Sequence, residues 1–209
     1  VHYYQTYYVP SNMVLIVGGN FSQKGVLAHI KKQFSSISYR ATPTSYHLPE
    51  PPPFSIKELV KTFDMNVTYV SFRFSTVTLY SESMYPLDVI DYMLSNGEDS
   101  LLHDLLVEQK KLAFSVQSYS YTPSITTGYF DIVIECLKKN IPKIQKLIFS
   151  CFDELKQGSF SQKRLNRVKK QKVAEDIFSI SSIEDHAYRV GHGYFYSQSL
   201  HFHDTYLSH

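Results

Sequence analysis

Histidines are the residues best able to do chemistry in this chain, and five of the nine fall at its end: His186, His192, His201, His203 and His209. A zinc site needs three or four ligands converging at fixed spacing, usually starting from a pair on one helical turn. His201 and His203 share a face only if the chain is extended there, and His186 and His192 are too far apart for one turn. No H-x-x-x-H, H-E-x-x-H or H-x-x-E-H occurs, so these residues read as solvent-facing or hydrogen-bonded and no native metal site is expected. Nucleophilic catalysis has no better footing, because G-x-S-x-G is absent and neither Cys136 nor Cys151 sits in a context that would lower its pKa. Both cysteines fall at apolar positions of their elements and read as core, with a single bridge between them left open. Glu98, Asp99, Asp104 and Glu108 flank a helix start, where the dipole favours carboxylates without any catalytic role. The turn Val17-Gly18-Gly19-Asn20 has neither G-x-G-x-x-G nor a P-loop lysine. The run Lys163, Arg164, Arg167, Lys169, Lys170, Lys172 spreads around the polar side of a helix and reads as solvated. No catalytic residue is expected, and no nucleic-acid partner.

The elements that would position any site follow from periodicity. With 209 residues, 43% hydrophobic, and Lys+Arg 21 against Asp+Glu 19, the chain can bury a core and is too apolar for disorder. No apolar run is long enough to span a membrane. Asn12–Val17 reads as a buried strand ended by Gly18-Gly19, and Ser22 as the cap of a helix bearing Val26, Leu27, Ile30 and Phe34. Prolines then dominate, in Thr42-Pro43-Thr44 and Leu48-Pro49-Glu50-Pro51-Pro52-Pro53, which suits an extended spacer. Beyond it, Thr68–Thr78 alternates as a half-buried strand, and Pro86 falls in the first turn of a helix with Leu87, Ile90, Met93 and Leu94. After Gly97 a short helix carries Leu101, Leu102, Leu105 and Leu106. Leu112–Tyr121 and Gly128–Cys136 form a hairpin. Asn140 and Pro142 open a helix with the stripe Ile144, Leu147, Ile148, Cys151, Phe152 and Leu155, closed by Gly158. A further helix starts at Ser161. The expectation is α+β, an antiparallel sheet packed against helices. The chain opens Val1-His2-Tyr3 without an initiator Met, and it is expected to be a piece of something longer.

Two stretches carry a resemblance. Tyr7-Tyr8-Val9-Pro10-Ser11-Asn12-Met13-Val14-Leu15-Ile16-Val17-Gly18-Gly19-Asn20-Phe21 is similar to the Y-Y-x-P-x-N-M-x-L-x-V-x-G-D-[FV] signature of the pitrilysin/insulinase family. These are inverted-motif zinc metallopeptidases that include the mitochondrial processing peptidases. Leu94–Leu102 resembles L-x-x-G-x-x-S-R-L, and Leu106–Val116 resembles L-R-E-x-x-G-L-A-Y-S-V. Gly128-Tyr129-Phe130 and the stretch from Gly158 to Lys169 fit the strand and late helix that follow, with Arg164 where an acidic residue is usual.

The resemblance implies two homologous halves that close around peptides. Residues 1–40 would end the preceding half, 41–55 would be the connector, and 56–209 a second, non-catalytic domain truncated at its C-terminus. The zinc motif H-x-x-E-H would lie outside this chain, so zinc is expected in the full-length parent and no cofactor here. The second half of active members supplies an Arg and a Tyr seven residues apart, as charge-stabilising groups at the scissile carbonyl. Those substrate-binding positions are Val107 and Phe114 here, while the family glycine is Lys111 and the Arg after the Ser is Leu102. Valine and phenylalanine donate no hydrogen bond. The implied role is therefore to enclose and position a peptide or small-protein substrate, opposite a zinc-bearing half of the same chain or a partner subunit. The alternative is an inactive structural or partner subunit.

Overall fold

A computed structural model describes residues 1–42, 51 and 55–208. The proline-rich spacer and His209 lie almost wholly outside the described residues. The chain divides into two compact units, one of Val1–Leu48 with Phe178–Ser208 and one of Pro49–Ile177.

The second unit holds the sheet. Strands β1 (Thr68–Ser75), β2 (Ala113–Tyr121) and β3 (Tyr129–Cys136) pair antiparallel in the order β1-β3-β2. β3 is central because it is the strand with most to bury: Phe130, Ile132, Ile134 and Cys136 are all 5% exposed or less. Opposite them on β1 stand Phe74, Phe72 and Val70, so one face of the sheet is a continuous apolar surface. The helices cover that face. Helix α3 (Met84–Ser95) contributes Leu94, Leu87 and Ile90. Helix α4 (Leu101–His103) runs into a π-helical turn at Asp104–Gln109 and adds Leu102 and Leu106. Helix α5 (Ile141–Lys156) adds Ile144, Ile148 and Cys151. Burying each such aliphatic side chain is worth about 1.5–3 kcal/mol. The α+β expectation and the hairpin hold, as does the left-handed Gly158 just past α5, at φ 71°. Asn140 sits at the N-terminus of α5 but makes no side-chain cap; its Nδ2 instead donates to the Leu112 carbonyl at 2.8 Å, tying the helix start to the start of β2.

Two glycines are dictated by geometry. A Cβ on Gly128 would collide with the Tyr121 and Val77 carbonyl oxygens, where the hairpin loop re-enters the sheet. Gly97 has φ 90°, in the region L side chains avoid. Lys111, by contrast, is a lysine at φ 51° between the π turn and β2.

The first unit contains α1 (His2–Tyr7), α2 (Gln23–Phe34), α7 (Ile183–Ser197) and α8 (Phe202–Leu207). The expected buried strand at Asn12–Val17 is corrected: a 3₁₀ turn takes Pro10–Asn12, and the residues after it pair with no strand among those described. Met13, Val14, Leu15 and Val17 are all exposed. An apolar run satisfies the pattern of a strand, but a strand also needs a ladder partner, and pattern alone cannot tell which chain segment supplies it. Only Ile16 is inward, lying where a Cβ on Gly191 of α7 would come within 2.6 Å of its Cδ1. Ser22 precedes α2 without a side-chain cap bond. Helix α7 begins with a reciprocal capping box between Ser182 and Asp185. Helix α6 (Gln162–Phe178) starts after Ser161, as expected, and buries Val168.

Candidate functional site

The helix-free face of the sheet is where side chains from three strands converge in the open. Alternation puts Tyr69, Ser71, Arg73 and Ser75 of β1 there, with Tyr129, Asp131, Val133 and Glu135 of β3, and Gln117, Tyr119 and Tyr121 of β2. The register breaks between Ala113 and Ser115, which makes Phe114 a bulged residue. Because Ala113 and Val116 are both buried in the core, Phe114 and Ser115 both fall on the open side. Phe114 is 57% exposed.

At the centre of this face Asp131 is 1% exposed, a carboxylate buried by its own partners. Ser71 Oγ donates to Oδ1 at 2.5 Å. Arg73 donates to Oδ2 from Nη2 at 2.6 Å and from Nε at 3.2 Å, and Tyr119 OH donates to Oδ2 at 3.0 Å. The register places Arg73, Asp131 and Tyr119 directly abreast on the three strands. The hydrogen bond to Asp131 raises the Arg73 pKa, so the guanidinium is charged at any ordinary pH. Desolvation, then the bond to Asp131, raises that of Tyr119. The Arg73 guanidinium lies 4.0 Å from the centre of the Tyr129 ring, and Tyr129 in turn meets Tyr119 and Tyr121. Nothing in the chain singled out Asp131, since alternation marks it only as pointing away from the core; its burial comes from the cross-strand register.

The positions carried over from the resemblance are placed apart. Val107 lies in the π-helical turn and packs against the core, whereas Phe114 is on the open face. Neither brings a polar group. Two of the four carboxylates near the helix start are engaged by neighbouring side chains: Asp99 pairs with Arg167 of α6, and Asp104 accepts from Gln109 at 2.8 Å. Lys172 of the basic run faces Asp88 at 3.9 Å and sits over the Tyr92 ring. Cys136 and Cys151 are free and buried, and burial, the larger cause, pushes the Cys151 thiol up to about 11. Both are inert core residues.

The described residues do not fit a zinc ion. Among those described, no group of three His, Cys, Asp or Glu side chains is placed to hold a metal. Two of the late histidines are engaged by neighbours, His192 stacking between Tyr188 and Tyr196 of α7 and His201 facing Asp204 at 3.5 Å, while His209 lies outside the described residues. No described helix is long and apolar enough to cross a membrane.

Comparison with known proteins gives a consistent picture. A family model described as the peptidase M16 inactive domain matches residues 1–172. The chain is 26% identical over 189 residues to the zinc protease PqqE of Helicobacter pylori, covering 88% of the chain and 42% of that protein. It is likewise 26% identical over 191 residues to the uncharacterized zinc protease YmxG of Bacillus subtilis, covering 90% and 45%. The chain thus spans less than half the length of these curated relatives. In fold it matches the crystal structure of a protease from Helicobacter pylori with a TM-score of 0.84 at 23% identity, covering 99% of the chain and 51% of that structure.

Proposed function

Because the chain belongs to the family of M16 peptidase inactive domains, we propose that it is the non-catalytic part of a zinc metallopeptidase and encloses and positions an extended peptide. In this reading residues 1–40 end a preceding homologous half, 41–55 connect, and 56–209 form the second domain. The zinc centre is held outside this chain, by another part of the same protein or by a partner subunit. The observation that carries the reading is the open sheet face, which offers tyrosines and polar groups to a ligand, while its carboxylates are bonded to neighbouring strands and belong to no metal-binding group among the described residues. Val107 and Phe114 support it from the other side. A peptide carbonyl developing negative charge would find no donor at either position, and one such donor is worth roughly a hundred- to a thousandfold in rate.

The 209-residue chain alone is expected to cleave no peptide, with or without added zinc, while the full-length protein cleaves and loses activity to a chelator. Zinc-dependent turnover by the chain alone, persisting after His201→Ala and His203→Ala, would overturn the reading. The absent donors also favour a second reading, in which the whole protein is an inactive structural or partner subunit. Introducing Val107→Arg with Phe114→Tyr in the full-length protein separates the two. A several-fold rise in turnover marks a weakened enzyme, and no turnover before or after marks a scaffold.

A further inference from the structure

The ion pair at the centre of the open face is asymmetric. Every acceptor position that Asp131 uses is filled from within the sheet, by Ser71, Arg73 and Tyr119. The guanidinium of Arg73, however, spends only its Nε and Nη2 on that carboxylate, both on the single oxygen Oδ2. Nη1 makes no hydrogen bond among the described residues, and the side chain is 55% exposed. The outer edge formed by Nη1 and the second N–H of Nη2 is the edge that forks onto a carboxylate. One flank of the guanidinium is fixed by the Tyr129 ring and another by Asp131, so little rotamer freedom is left to lose on binding. Among the described residues, the other acid on this face is Glu135, four residues along β3, opposite Tyr69 and hydrogen-bonded at 3.4 Å by Ser115. The Arg73 end therefore presents a half-exposed cation edge, ringed by Tyr119, Tyr121 and Tyr129, with its one carboxylate buried beneath.

We propose that Arg73, locked by Asp131 and seated on Tyr129, binds the side-chain carboxylate of an aspartate or glutamate in an extended peptide lying across the open face. This rests on the reading that the open face meets peptide, and it adds what that peptide carries. The charge complementarity is local: a carboxylate closes the fork, an amide matches it with one acceptor only, and a lysine or arginine is repelled.

The test uses the full-length protein with a chelator present to prevent turnover. Its probes are labelled, N-acetylated and C-amidated decapeptides that differ only in a central Glu or Gln. Fluorescence anisotropy at low salt should show the Glu peptide binding about tenfold more tightly. The preference should shrink to about twofold or less in Arg73→Lys, which keeps a charge for Asp131 but loses the fork, with the loss of affinity falling mainly on the Glu peptide. It should also fall on raising NaCl from 0.05 to 0.5 M. Equal affinity for the two peptides, or a preference untouched by Arg73→Lys, overturns the proposal and leaves the peptide reading standing. Tighter binding of an uncapped Gln peptide, with its free C-terminal carboxylate, than of the capped Glu peptide overturns the side-chain assignment. Binding of neither peptide overturns both readings.

Discussion

On the helix-covered side of the sheet, β3 presents Phe130, Ile132, Ile134 and Cys136. On the other side the same eight residues present Tyr129, Asp131, Val133 and Glu135. The first set is what makes the domain fold, because each of its members meets side chains from β1, α3, α4 or α5. The second set is held by polar contacts confined to the sheet, and it leaves one cation edge unspent. Under the proposed function, the difference separates stability from recognition by face. Substitutions on the covered face should act on folding, and those on the open face on ligands.

The sharpest way to break that separation is at the loop that joins the two hairpin strands. Gly128→Ala would drive a methyl group into two backbone carbonyls, and a loss of about 3–5 kcal/mol in urea unfolding is expected. Ile148→Ala removes a fully buried side chain of α5 and should cost about 2–5 kcal/mol. Leu15→Ala, at a comparable apolar residue that is exposed in the first unit, should stay within about 0.5 kcal/mol in the 209-residue chain.

The covered face also has a polar corner, and it titrates. Asp91 of α3 accepts from Ser118 Oγ at 2.6 Å, and Ser118 N–H donates to Ser95 Oγ at 2.7 Å. Burial pushes the Asp91 carboxyl up to about 6, with Asp88 adding to the rise and Ser118 and Lys172 opposing it. A carboxyl whose pKa is higher in the folded protein than in the unfolded chain stabilises the fold while protonated. Its cost therefore grows as pH rises from about 4 through 6. Asp91→Asn should gain on the order of 1–2 kcal/mol at pH 7.5, allowing for partial solvent screening, and little at pH 4, read from melts at the two pH values. A smaller effect than at Asp91 is expected at Lys111, whose φ of 51° costs an L side chain about 1 kcal/mol. Lys111→Gly should raise stability by up to that amount, less the entropy glycine adds to the unfolded chain.

How far these faces could be read from the chain depends on the kind of information each residue needs. Phe130, Ile132, Ile134 and the α5 stripe declare themselves through periods of two and 3.6, which need only neighbours in sequence. Asp131 does not, because its burial depends on which residues of β1 and β2 lie abreast of it. Asn12–Val17 shows the same gap: its apolar pattern is that of a strand, yet the ladder partner is not specified by the run itself. Helices α7 and α8 were not expected from the chain, although Ser182-Ile183-Glu184-Asp185 spells a capping pattern that marks the start of α7. The substituted pair at Val107 and Phe114 was visible only through the resemblance, and the structure adds that the two residues occupy opposite environments, one against the core and one on the open face.

The account is tested most directly by mapping where a peptide lies. An extended peptide carrying a photoreactive residue, irradiated with the chelated full-length protein and digested, should crosslink to the segments bearing Arg73, Tyr119, Tyr121 and Tyr129. Crosslinks found instead on the outer side of α5, around Lys146 and Phe149, would contradict the assignment of the open face to peptide.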